Sequence, residues 1–131
     1  MPTRPSSLPT EAELELLHVL WQRGASTVRE VHEAVNESRG VAYTTTLKVL
    51  QIMFEKGLVE RDDSERSHLY KAVAKPEETK GSMVKAFMDR VFGGSAADLM
   101  LSALGSSKTS AKDMQRIQDM LKTSNKSRRG K

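Results

Sequence analysis

The sequence predicts a mainly α-helical chain with one small β-hairpin, built as an N-terminal module followed by a helical C-terminal region. Three observations lead there. Between Leu8 and Lys56, apolar residues recur at helical spacing in three stretches bounded by capping residues. After Gly57 the pattern changes to two short strand-like runs separated by a polar loop. Beyond Lys75-Pro76-Glu77, three more amphipathic stretches follow, punctuated by Gly93-Gly94 and by Gly105-Ser106-Ser107.

The first helix opens at Thr10, an N-cap whose capping-box partner is Glu13. Leu14, Leu17, Leu20 and Trp21 form its stripe, and Gly24 stops it. Ser26 or Thr27 caps the second helix, with Glu30 at the reciprocal position and Val28, Val31, His32 and Val35 on one face. Asn36 to Gly40 breaks it. The third helix spans Tyr43–Lys56, with Thr46, Leu47, Leu50, Met53 and Phe54 inward and Gly57 at C′. Leu58–Arg61 and His68–Val73 are the strands, and Asp62 to Ser67 is the loop between them. Three helices followed by strand, loop and strand is the order of a winged helix-turn-helix, with the third helix as recognition helix and the loop as wing. That module takes residues 1–75.

Residues 76–121 carry Met83, Val84, Phe87, Met88, Val91 and Phe92 in one helix, then Leu99, Met100, Leu101 and Leu104 in a short one. Ser110 caps a last helix with Met114, Ile117, Met120 and Leu121. Roughly fifty residues in three helices bury too little apolar surface alone. Five of the seven Met lie here, and such adaptable side chains suit contacts made with another surface. A second copy is the expected partner, so this is a dimerisation region with Met83, Phe87, Val91, Leu99, Leu101, Leu104, Ile117 and Leu121 as candidate interface residues.

Charge is unevenly placed. Residues 1–75 hold ten basic and eleven acidic side chains, residues 76–121 six of each, and the last ten residues five bases and no acid. The pI of 9.5 therefore belongs to a basic tail, 122–131, expected to be disordered, and not to the body. With no Cys there are no disulfides, thiolate metal sites or cysteine nucleophiles. The three His lack ligand spacing, and there is no Walker motif, no GxSxG and no paired-carboxylate pattern with a structural rationale. Neither an enzyme, a cofactor nor a metal is expected. No apolar run is long enough to span a bilayer and Met1 to Ser7 is no secretory signal, which makes a cytoplasmic protein without membrane insertion the expectation.

The candidate contacts to double-stranded DNA follow from the predicted elements. Tyr43, Thr44, Thr45 and Lys48 begin the third helix, where side chains reach base edges and phosphates, and Gln51 shares their exposed face. Thr44 has an alternative as a simple helix cap. Arg66 in the wing suits the minor groove or its phosphates, or else pairs with Asp62, Asp63 or Glu65. Arg29, early in the second helix, suits a phosphate.

Taken together, Leu8-Pro9-Thr10-Glu11-Ala12-Glu13 leading to Leu20-Trp21, Thr27-Val28-Arg29-Glu30-Val31, Ala42-Tyr43-Thr44-Thr45 with Leu50, Glu55-Lys56-Gly57-Leu58-Val59 and the Phe92-Gly93-Gly94 break resemble the penicillinase-repressor family. The resemblance covers Leu8 to about Lys122. It implies a homodimeric transcriptional repressor on a palindromic operator with TACA and TGTA half-sites, released in some relatives by a sensor protease. Three positions depart from the family pattern. Copper-responsive members carry a C-terminal cysteine motif that is missing here. Ile52 stands where members usually have Arg, while Lys48 lies one turn earlier on the same face. The Asn-Phe bond cut in methicillin-type repressors corresponds to Ser102-Ala103, so these two mark the candidate cleavage position, and a protease selecting Asn-Phe is not expected to cut there efficiently. A winged helix serving only as a protein-interaction module, supported by the near-neutral body and acidic wing, is the competing function.

Overall fold

Backbone spacing and capping set the elements. The structure, a computed structural model, describes residues 8–64 and 66–129, and the side chains of all of these but 38, 39 and 125–129. The stretch up to Ser7, wing residue Glu65 and the final Gly130 and Lys131 lie outside the described residues. The order is α1 (Glu11–Arg23), β1 (Ser26–Thr27), α2 (Val28–Arg39), α3 (Tyr43–Lys56), β2 (Val59–Asp62), β3 (Leu69–Ala72), α4 (Pro76–Phe92), α5 (Ala96–Ser106) and α6 (Ala111–Arg129).

Both predicted capping boxes form. Thr10 Oγ1 accepts from Glu13 N at 3.2 Å, while Thr10 N donates to Glu13 Oε1 at 3.0 Å. Thr27, not Ser26, caps α2, with the reciprocal bonds to Glu30 at 3.1 and 2.9 Å. Ser26 is buried instead, donating its hydroxyl to Gly24 O at 2.9 Å. Ala42 is the N-cap of helix α3 and gives it no side-chain cap, so Thr44 is not the capping residue. Gly57 ends α3 at φ +84°, a left-handed turn that a β-carbon would strain.

The sheet is antiparallel in the order β1-β3-β2. Ser26 and Thr27 pair with Tyr70 and Leu69, and Val59–Asp62 pair with Ala72 back to Leu69. Strand β1 was not expected, because two residues are too few to show a period. Thr27 thus does double work, ending a strand and capping a helix.

The chain divides into two units, one ending at Lys85 and the other Ala86–Lys131, so the division falls inside α4. The first holds the core: Leu16, Leu17 and Leu20 of α1, Val31 and Val35 of α2, Leu50 and Met53 of α3, with Leu58, Val59 and Tyr70. Fully burying such side chains contributes about 1.5–3 kcal/mol each. Two expectations change here. Helix α1 packs against α2, α3 and β3, which widens its buried face to take in Leu16, while Leu14 and Trp21 are only partly buried. Trp21 sits at the edge, donating Nε1–H to Ala74 O at 2.9 Å. Phe54, expected inward, is 40% exposed and carries the Arg61 guanidinium 4.6 Å over its ring.

In the second unit no described residue is buried. Ser95 and Ser110 cap α5 and α6 by accepting from Asp98 N at 3.0 Å and Asp113 N at 3.1 Å. Gly105 lies within α5 and does not end it. Helix α6 runs on to Arg129 where composition predicts a disordered tail from Lys122, since no Gly or Pro interrupts it before Gly130.

Candidate nucleic-acid interface

A groove of about 530 Å³ opens between the start of α2, the outer side of α3 and the hairpin. It gathers four of the predicted contacts, Arg29, Tyr43, Gln51 and Arg66, from segments far apart in sequence. The capping box at Thr27 fixes where Arg29 leaves α2, and the Gly57 turn folds the hairpin back beside α3. Tyr43 is 44% exposed, its ring edge-on to His32 at 5.4 Å. His32 Nδ1 lies 3.2 Å from the buried Thr46 hydroxyl, so this pair fixes the α2–α3 contact behind the groove. Thr44, Thr45 and Lys48 do not line the groove; they are exposed along α3 next to it.

Sequence reasoning missed the rest of the lining. Arg61, Ser67, His68 and Tyr70 of the hairpin join Thr27 and Val28, and Leu47, expected in the core, is only partly buried and faces the groove. Arg61 carried one legible signal, its place in a run of acids two residues before its partner Asp63. Its Nε is enclosed and lies 2.8 Å from Asp63 Oδ1, an ion pair bent away from hydrogen-bond geometry. A side-chain hydrogen bond with Tyr70, outweighing the effect of burial and joined by the Asp63 carboxylate, holds this guanidinium above its ordinary value. His68 Nδ1 is 3.4 Å from the same Asp63 oxygen. Asp62 is drawn into its own turn: Ser64 N donates to Oδ1 at 2.9 Å, and that bond, with the Ser64 side chain, keeps the carboxyl below the usual aspartate range.

The predicted dimer residues are found mainly in the second unit, with Met83 in the first. Phe87, Val91, Leu101 and Leu121 are exposed, Leu101 at 69%, whereas Met83, Leu99, Leu104 and Ile117 are partly buried. Ser102 and Ala103 lie in the middle of α5, their carbonyls accepting from the Ser106 hydroxyl at 2.8 Å and the Ser107 hydroxyl at 2.9 Å. Among the described residues no helix is long and apolar enough to cross a membrane.

Comparison with known proteins adds four findings. The family model described as penicillinase repressor matches residues 9–123. The "Penicillinase repressor" of Staphylococcus aureus is 20% identical over 110 residues, covering 84% of this chain and 87% of that protein. The "Transcriptional regulator BlaI" of Mycobacterium tuberculosis is 38% identical over 87 residues, covering 65% of this chain and 63% of its own length. A solution structure of the DNA binding domain of the repressor BlaI superposes with a TM-score of 0.51 at 20% identity, covering 60% of this chain and 93% of that domain. That superposition supports the winged fold.

Proposed function

This chain belongs to the penicillinase repressor family and is a DNA-binding transcriptional repressor, and on that premise we propose that it works as a homodimer on a two-fold operator. The observation that carries the DNA-facing part is the groove. It sets Arg29 and Arg66 around the N-terminus of α2 and beside the exposed polar face of α3. A helix N-terminus with flanking guanidinium groups suits a backbone phosphate. With the backbone held there, Thr44, Thr45 and Lys48 stand at the start of the recognition helix, where base edges in the major groove are within reach. Phosphate contacts fix the register, and the α3 residues supply the sequence preference.

The dimer reading rests on the second unit. A set of helices with no buried residue among those described and with Phe87, Val91, Leu101 and Leu121 exposed gains little stability by itself. A second copy presenting the same surface covers both sets at once, as a two-fold interface does. Two winged modules joined this way bind two half-sites with the gain in effective concentration of a linked pair. Repression then follows from occupancy of the promoter.

The test is a competition binding assay on a duplex carrying a TACA/TGTA dyad. Retention of the complex against excess scrambled duplex is the expected result. Equal displacement by both competitors contradicts specific recognition and leaves the protein-interaction reading in its place.

A further inference from the structure

By charge the wing is the least favourable part of the DNA face, since Asp62, Asp63 and Glu65 share one loop with Arg66. An uncompensated carboxylate beside a phosphate backbone repels it within the screening length. Yet both described acids are engaged. Asp62 accepts from Ser64 N inside the turn. Asp63 Oδ1 faces Arg61 Nε at 2.8 Å and His68 Nδ1 at 3.4 Å. Arg61 is in turn anchored on two sides. Its guanidinium lies over the Phe54 ring of α3 at 4.6 Å, and Tyr70 stands opposite it in the β2–β3 ladder. A cation seated on the recognition helix is therefore pressed against an acid of the wing. Phe54 is left outside the core, and its exposed ring forms the seat.

We propose that Arg61 is a positioning residue for DNA binding: anchored on Phe54, it neutralises Asp63 and so lets the wing approach the phosphate backbone. This rests on the reading that the groove faces DNA. Arg61 acts through Asp63, which gives a signature that neither a direct phosphate contact nor a purely structural role shares. Removing Arg61 leaves the Asp63 charge bare, and removing both charges restores neutrality. If Arg61 instead touched phosphate itself, Asp63→Asn would change affinity equally with and without Arg61. If Arg61 only held the fold, Asp63→Asn would rescue nothing.

The experiment uses the full chain in four forms: wild type, Arg61→Met, Asp63→Asn and the double variant. All four are titrated on one duplex that the wild type has enriched from a random pool. Arg61→Met is expected to lose about tenfold in affinity, a size typical of a charge placed against an interface of opposite need. Asp63→Asn alone is expected to stay within about twofold of wild type, and the double variant to recover most of the loss. A fifth form, Arg61→Lys, keeps the charge without the flat stacking surface and is expected within about threefold of wild type. It keeps the test open even if Arg61→Met fails to fold by circular dichroism. No rescue in the double variant, or a loss in Arg61→Lys as deep as in Arg61→Met, overturns the proposal. Failure of the wild type to enrich any duplex is a different result, which overturns the DNA-facing reading and this proposal with it.

Discussion

Lys48 and Thr45 share the exposed side of α3 but are assigned different tasks, and single substitutions separate them. Lys48→Ala is expected to weaken binding to all sequences and to lower the log-salt slope by about one unit, as losing one phosphate contact does. Thr45→Ala is expected to relax base preference at one position per half-site with little change in slope. Unchanged affinity and preference in both, measured by titration at several salt concentrations, contradict the assignment. Asp62 gives a second residue-scale outcome. Its carboxyl is held low mainly by the Ser64 backbone N–H, so the wing turn is favoured at pH above the ordinary aspartate range. That contribution fades as pH falls through the lowered folded-state value, and the turn loosens on acidification. An NMR titration should place the Asp62 midpoint below that of an unstructured aspartate; a midpoint at or above it contradicts the bond. At this scale capping was the most legible feature, because Thr10/Glu13 and Thr27/Glu30 act over three residues. The stacking of Arg61 on Phe54 was not legible, because it spans a turn and a strand and overrides the apolar period that assigned Phe54 inward.

At the scale of elements, α1 and α3 are joined by a pair that periodicity does not show. Lys56 Nζ lies 2.7 Å from Glu13 Oε1, with the Glu13 side chain 6% exposed and that of Lys56 19%. The same Glu13 oxygen accepts from Thr10 N, so one carboxylate closes the capping box and receives the last turn of α3. Lys56→Met leaves that carboxylate enclosed without its counter-charge. Stripping one partner from a fully buried pair costs about 3–5 kcal/mol, and partial exposure of Lys56 reduces this to about 2 kcal/mol. Chemical denaturation of Lys56→Met should show a loss of that order, and the double variant with Glu13→Gln should recover part of it. A loss below about 0.5 kcal/mol, typical of an exposed pair, contradicts a structural role for the link. The bounds of α3 were readable to the residue because Gly57 stops the helix. Strand β1 was invisible in the sequence, since its identity comes from pairing with Tyr70 and Leu69 and not from Ser26 and Thr27 themselves.

Across the whole molecule, the two units differ in how much each can hold itself together. The first buries ten apolar residues in one cluster, while the second has no buried residue among those described. The same contrast was visible in the sequence as a chain with too few residues and too many Met after Pro76. The place of the division was less visible. Helix α4 continues without interruption from Pro76 to Phe92, and its Thr79 is buried on the side of the first unit, so the division at Lys85 has no punctuation in the sequence. The central claim is that two copies, joined through the second unit, place two winged modules on one operator. The most direct measurement is the stoichiometry and affinity of the full chain and of a chain ending at Lys85, by analytical ultracentrifugation, on a TACA/TGTA dyad duplex and on a duplex with one half-site. The full chain should be a dimer that binds the dyad two to one and far more tightly than the single half-site, while the chain ending at Lys85 should be a folded monomer with similar, weak affinity for both. A monomeric full chain that binds both duplexes equally, or a shortened chain that remains dimeric, contradicts the account.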